Sequence, residues 1–316
     1  MKSPRPTFRK TASLSFGAAS TGVPSPGAAD ALRIRDDSIQ PPRLRLVYSW
    51  WSLIGLPRGG PEWSIKEKFR RVKEAGFEGI EIAVAKAEDE GRYRKLFDQT
   101  ELFPGLVGRL FTVDDFRRLI AQGKRLRAEY LVVQVGHAFM RDDEALELLR
   151  AGWQIAAGEG LPMMLETHRG TLTQNLYRTY GLLDRLPELR LTGDFSHYVV
   201  GGEMGGLPAA EQIMRLRPLL DRVDSMHARI SNGQQVQVDV GAGVGPLAQT
   251  WVDIWAETLR CWRRQAQPGE WFPFTSELGP PSYSIVDLRG REISDRWKQS
   301  LVLKRLLEQA WAKSEE

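Results

Sequence analysis

The chain contains four histidines, His137, His168, His197 and His227. Each lies at or just beyond the end of a short apolar run of the kind that forms a strand. Three carboxylates hold comparable places. Glu166 closes Met163-Met164-Leu165-Glu166, Asp194 closes Leu191-Thr192-Gly193-Asp194, and Glu277 closes Phe274-Thr275-Ser276-Glu277. A carboxylate ending an apolar strand is costly to desolvate unless a cation or hydrogen bonds receive it. One such group could simply bond the amides of its own loop. Three of them with an imidazole make a mixed oxygen and nitrogen cage, suited to one divalent ion such as Mn²⁺, Mg²⁺, Co²⁺ or Zn²⁺. A lone strand-end histidine is more often structural than a ligand; four together shift that balance. The single cysteine, Cys261, excludes an internal disulfide and a Cys-based zinc or iron–sulfur cluster. Its helical surroundings, Leu259-Arg260-Cys261-Trp262, read it as a small buried apolar residue.

The elements that must position these groups follow from periodicity. Strands are expected over Leu44–Ser49, Gly79–Val84, Phe103–Leu110 (the weakest), Tyr130–Val135, Met163–Glu166, Leu191–Asp194, Val223–His227 and Phe272–Glu277. Each is followed by a helical pattern. Ser64 and Glu67 form a capping box, with Ile65, Phe69 and Val72 at helical spacing behind it. Thr112 with Asp115 opens a second helix in the same way. Leu146, Leu149 and Trp153 stripe another. Thr171 with Gln174 is expected to cap the helix after Glu166, and Trp251, Trp255, Leu259 and Trp262 stripe the one after His227. Eight such units in about 270 residues match a (β/α)8 TIM barrel, whose active sites lie at the C-terminal ends of the strands. A doubly wound sheet would advertise a Gly-rich turn after its first strand, and Leu53–Gly60 contains neither GxGxxG nor a Walker loop.

Composition narrows the function classes. The net charge is +4 and the pI about 9.2. Residues 1–43 carry seven basic and three acidic side chains, which is the whole excess. The remainder is electrically balanced and lacks the field of a protein that grips phosphate backbones, so no nucleic-acid partner is expected. No apolar run reaches the length of a membrane span. Residues 1–30 are mostly Ser, Ala, Gly and Pro, too poor in apolar side chains to offset the entropy of ordering. A disordered N-terminal tail is therefore expected over 1–43, ending at Pro41-Pro42, with a TIM-barrel catalytic domain over 44–316. The tail has no signal-peptide apolar stretch and no twin-arginine pair. It is basic and Ser-rich like a transit peptide, but low in arginine and without an amphipathic helix. A cytoplasmic location is expected, and a homo-oligomer is compatible with the sequence.

Glu166-Thr167-His168-Arg169, Asp194-Phe195-Ser196-His197-Tyr198 and His227-Ala228-Arg229-Ile230, in this order on successive strands, resemble the xylose-isomerase-like barrels of the sugar phosphate isomerase/epimerase family. The resemblance covers about residues 44–310. It implies a metal quartet of Glu166, Asp194, His227 and Glu277 on the fifth to eighth strands, with the sixth-strand Asp-x-x-His present as Asp194 to His197. It further implies proton transfer beside a carbonyl, through an enediolate, with Glu166 and Glu277 as the acid/base pair. His197 and Arg229 would hold oxygens of a small sugar-like substrate, although Arg229 could equally form a structural ion pair. His168 is a candidate substrate contact with a structural role as the alternative, and His137 is read as structural. Of Trp50 and Trp51, one should face the mouth and stack on a sugar while the other joins the core; Trp50 is taken as the substrate contact. Glu81 is a candidate site carboxylate, with helix-layer packing or a salt bridge preferred. The seventh connection, Ser231–Pro246, is long and rich in Gly, Val and Gln, and is expected to overhang the site.

Two other classes remain. A nuclease of the apurinic-endonuclease type shares the quartet but needs a three-zinc cluster, with histidines on early strands. This chain has none before His137 and none after His227. A barrel that binds a sugar without turning it over is compatible with the fold, although pure binding does not need two glutamates flanking a metal.

Overall fold

The apolar runs close into a barrel. The structure, a computed structural model, describes residues 32–83 and 87–316. Its strands are β1 (Arg43–Ser49), β2 (Gly79–Ile82), β3 (Phe103–Leu110), β4 (Tyr130–Val135), β5 (Met163–Glu166), β6 (Leu191–Gly193), β7 (Val223–Ala228) and β8 (Trp271–Ser276). Neighbours in sequence pair in parallel, and β8 pairs with β1 to close the ring. The helices are α1 (Ile65–Glu74), α2 (Glu90–Thr100), α3 (Val113–Leu126), α4 (Asp142–Gly158), α5 (Leu176–Arg185), α6 (Ser196–Gly201), α7 (Ala209–Leu220), α8 (Pro246–Arg263) and α9 (Arg296–Lys313). This is the expected (β/α)8 barrel. Val84, at the end of the expected second strand, lies outside the described residues.

Parallel strands covered by helices are buried on both faces, and the side chains accordingly form two cores. The larger lies between sheet and helices. In it α8 presents Trp251, Trp255, Leu259, Cys261 and Trp262, all buried, as the periodicity requires. The smaller fills the lower barrel with Val47, Phe103, Tyr130, Val132, Met164 and Trp271. Two glycines make this aromatic layer fit. A Cβ at Gly79 would stand 2.5 Å from the Phe103 ring, and one at Gly105 would stand 2.6 Å from the Tyr130 ring. Because Gly105 has no side chain, the Tyr130 phenol reaches upward and donates to Glu81 at 3.1 Å.

The expected capping box forms in full at one helix and by half at another, where the Glu67 side chain turns to Arg70 and Arg71 instead. Ser64 accepts from the Glu67 amide at α1, and Thr112 with Asp115 forms a full capping box at α3. At α5 the expected cap does not form. Asn175 caps that helix by accepting from the Arg178 amide at 3.0 Å. Thr171 instead donates to the His168 carbonyl at 2.7 Å and shapes the loop after β5. Several oxygen-bearing side chains crowd residues 171–175, and a cap signature alone does not choose among them.

Two further expectations are corrected. Most of the expected tail, residues 1–31, lies outside the described residues, but its last part packs on the barrel, so the boundary drawn at residue 43 falls too late. Leu32 and Ile34 are buried, and Ile34 joins the inner core from below. Arg33 pairs with Asp224, which also receives Arg190 at 2.6 and 2.7 Å. Pro41-Pro42 lies directly before β1, after the packed residues rather than at the start of the fold. The seventh connection also behaves differently. Gln237 exchanges hydrogen bonds with Gly279, at 3.1 and 2.7 Å, and Gln299 of α9 binds the Val240 amide. The loop is thus pinned against the eighth connection and α9, and none of its described residues lines the cavity at the mouth. No helix among the described residues is long and apolar enough to cross a membrane.

Candidate active site

Strand alternation sets the site. With Tyr130 and Val132 inside β4, Gln134 also points inward; with Met164 inside β5, so does Glu166; on β7 and β8, His227 and Thr275 stand side by side in register. Glu166, Asp194, His227 and Glu277 converge, each offering a ligand atom within 4.8 Å of the others. His227 Nδ1 stands 3.4 Å from Glu166 Oε1 and 3.2 Å from Glu277 Oε2. All four are buried.

The donor set fits a divalent cation. Glu166 Oε1, Asp194 Oδ2 and His227 Nδ1 are buried and make no hydrogen bond within the protein. Such orphans are rare in folded proteins, and three facing one point are the pattern of an ion seat. The other carboxylate oxygens are held: Glu166 Oε2 accepts from Gln134 at 2.9 Å, Glu277 Oε1 from Ser49 at 3.3 Å, and Asp194 Oδ1 from the Ser196 amide at 3.1 Å. These bonds leave Glu166 Oε1 and Asp194 Oδ2 free towards the seat, while Glu277 Oε2 faces it paired with the Arg229 guanidinium.

Electrostatics follow the crowding. Burial works to raise the Glu166 and Glu277 carboxyls, but the His227 charge outweighs it and holds both below the usual range, with Arg229 adding to the effect on Glu277. Asp194 is pushed up by burial despite Arg229 beside it. Burial opposes a charge on His227, yet Glu81, Glu277 and Glu166 lift it well above the ordinary histidine range. Burial, with His168 and Arg229 nearby, keeps His197 neutral.

Around the quartet lies a cavity of about 370 Å³, lined by Ser49, Trp51, Arg109, Gln134, His168, Arg229, Glu277 and Tyr283 among others. Arg229 pairs closely with Glu277 and stands 3.4 Å from Asp194. His168 stacks on His197 with ring centroids 4.0 Å apart, and its Nε2 lies 3.3 Å from the Tyr283 hydroxyl. His137 is exposed and accepts from the Phe139 amide, away from the site. Glu81 is buried inside the barrel, 2.7 Å from His227 Nε2, in the salt bridge preferred for it.

Two expected substrate contacts do not line the cavity: His197, whose side chain is wholly buried against His168, and Trp50. β1 ends at Ser49 and a 3-10 turn covers Trp50–Leu53. Alternation therefore stops at Ser49. Trp50 turns into the helix layer against Phe69, Tyr93 and the Lys68 ammonium. Trp51 takes the mouth, with the Arg229 guanidinium 5.5 Å over its ring. Tyr283, Gln134 and Arg109 also belong to the site. Gln134 carried a signal, as a polar residue at an inward position near a strand end. Arg109 carried the same signal on β3. Tyr283 lies in a long connection without periodicity and carried none.

No protein-family model and no curated protein matches the sequence. Solved structures do share the fold. A probable 3-DHS dehydratase from Bacillus anthracis is 17% identical with a TM-score of 0.56, over 83% of this chain and 98% of its own. An L-ribulose 3-epimerase is 15% identical with a TM-score of 0.58, over 86% and 97%. A family 2 AP endonuclease from Brucella melitensis is 15% identical with a TM-score of 0.53, over 76% and 94%. At these identities the likeness is one of architecture.

Proposed function

We propose that the chain is a divalent-metal-dependent isomerase or epimerase of a sugar or related polyhydroxy carbonyl compound. The observation that carries this reading is the quartet: three buried carboxylates and an imidazole converging from the ends of four successive strands, three of the four residues with an unsatisfied atom. Its support from architecture is that an epimerase and a dehydratase of polar small molecules share the barrel.

A cation held by Glu166, Asp194, His227 and Glu277 supplies polarisation of a carbonyl and its neighbouring hydroxyl, which acidifies the adjacent C–H. The protein does the rest. Glu166 and Glu277 approach from β5 and β8. One removes a proton from carbon and the other returns one to the neighbouring carbon or to the opposite face. Gln134 and Ser49 each hold one oxygen of a glutamate, which fixes the direction of the other. Arg229 holds Glu277 ionised through its second oxygen. Trp51 offers a flat face to the substrate's carbon skeleton.

The test is solvent deuterium exchange. Full-length protein loaded with Mn²⁺ or Co²⁺ should incorporate deuterium at the carbon beside the carbonyl in at least one member of a ketose panel. Glu277→Gln should keep its fold and lose exchange by 10²–10⁴-fold, the usual contribution of a general acid or base. Exchange within a fewfold of wild type would remove Glu277 from the mechanism. Cleavage of abasic DNA without exchange would replace this reading with the nuclease one.

A further inference from the structure

Hydroxyl groups do not need guanidinium groups to bind them, yet two line this cavity, and a third, the exposed Arg169, stands against Tyr283 at its edge. Arg229, 1% exposed, lines it with Nη1 buried and without a hydrogen-bond partner. Arg109 lines it from the end of β3, and its one polar contact among the described residues is the Gly170 carbonyl at 3.1 Å. Arg169 lies 4.9 Å over the Tyr283 ring, the same ring that Arg229 approaches at 5.0 Å. Among the described residues, neither Arg109 nor Arg169 has a carboxylate within ion-pair distance. The donors continue in the Tyr283 hydroxyl and the His168 ring.

The acidic side chains lie elsewhere. Glu166, Asp194 and Glu277 face the ion seat, and Glu81 faces His227 behind it. The cavity is therefore polarised, with carboxylates at the floor and cationic donors towards the rim. A neutral polyol would leave the buried Arg229 Nη1 and the two rim arginines paired only with water and carbonyls. A planar guanidinium prefers a carboxylate or phosphate, to which it can donate two parallel bonds.

We infer that the substrate carries a terminal oxyanion, a carboxylate or a phosphate, which Arg109 and Arg169 receive at the rim, with Arg229 Nη1 as the donor nearest the ion seat. This rests on reading the mouth as a site for a polyhydroxy carbonyl compound and narrows that class to its acidic members.

The probes are a matched set: erythritol, erythronate and erythritol 4-phosphate. Each is titrated calorimetrically into full-length, Mn²⁺-loaded protein, wild type and the Arg109→Gln/Arg169→Gln double variant. Wild type should bind at least one anionic probe about 10- to 100-fold more tightly than erythritol, the range expected for charge-assisted bonds. Whichever anion is preferred identifies the end group. The double variant should lose that preference while still taking up one Mn²⁺ per chain, and added salt should weaken the preference in wild type. Equal affinity for all three probes, binding of none, or a preference that survives in the double variant overturns the inference. The function itself is read separately: an anion preference without deuterium exchange into acidic ketoses would leave the oxyanion site standing and bring down the isomerase reading.

Discussion

Trp50 and Trp51 are adjacent in sequence and belong to different parts of the molecule. Trp51→Ala should fold with little loss of stability and raise KM, because it strips one wall from the cavity. Trp50→Ala should cost ~3 kcal/mol through the void it leaves between α1 and α2. Thermal denaturation and steady-state kinetics on the two variants check this; the reverse ordering would return Trp50 to the mouth. This pair also marks where the sequence stops being legible. Glu166, Asp194, His227 and Glu277 could be picked out because each ends an apolar run, and a charge there needs a reason. Trp50 and Trp51 could not be separated, because the strand gives way to a 3-10 turn between Ser49 and Trp50. Glu81 was ambiguous because every residue of β2 is buried, on whichever face it lies. Tyr283 was silent because residues 277–295 have no period that says which way a side chain points.

The segment at residues 32–42 supports the barrel from below. A chain starting at Leu32 retains its contacts; one starting at Arg43 loses Leu32, Ile34 and the Arg33–Asp224 pair. The second should be less stable by on the order of 3–6 kcal/mol, from two buried apolar side chains alone. Equal midpoints in urea for the two truncations would show that the segment contributes nothing. Asp224 gives a pH signature to the same region. Burial would raise its carboxyl, but Arg190 and Arg33 hold it below the usual aspartate value. A carboxyl depressed in the folded state adds stability that is present above its unfolded value, near 3.9, and is lost as pH falls through the folded one. Asp224→Asn should thus cost about 3–5 kcal/mol at pH 7, since it strands two buried arginines. The gap to wild type should begin to narrow below about pH 4 and go on narrowing as pH falls through the lower folded value. Urea titrations from pH 7 into acid test it, and a gap that does not narrow would show that packing rather than charge is responsible. The eight strands were readable from their apolar runs, whereas this segment was not. Leu32 and Ile34 are two apolar residues among polar ones, and only the fold shows that Ile34 enters the barrel.

For the whole molecule, the ion seat links binding to stability. Mn²⁺ at about 100 times its Kd should stabilise the chain by ~2.7 kcal/mol, raising Tm by several degrees. Asp194→Ala and His227→Ala should show no such rise. Elemental analysis after dialysis should find one ion per chain. Three tightly held zinc ions would contradict the ligand count, because no histidine precedes His137.

The aromatic layer under the site has a kinetic consequence. Phe103, Tyr130 and Trp271, with Ile34 beneath them, seal the lower barrel, and the cavity above is a cul-de-sac. Among the described residues, traffic in and out shares the doorway beside Trp51, Arg109 and Tyr283. Incoming substrate waits for departing product, so the two exclude each other. Product inhibition should be purely competitive, and anything lodged at the doorway, including an anion held by Arg109, should block arrival and departure alike.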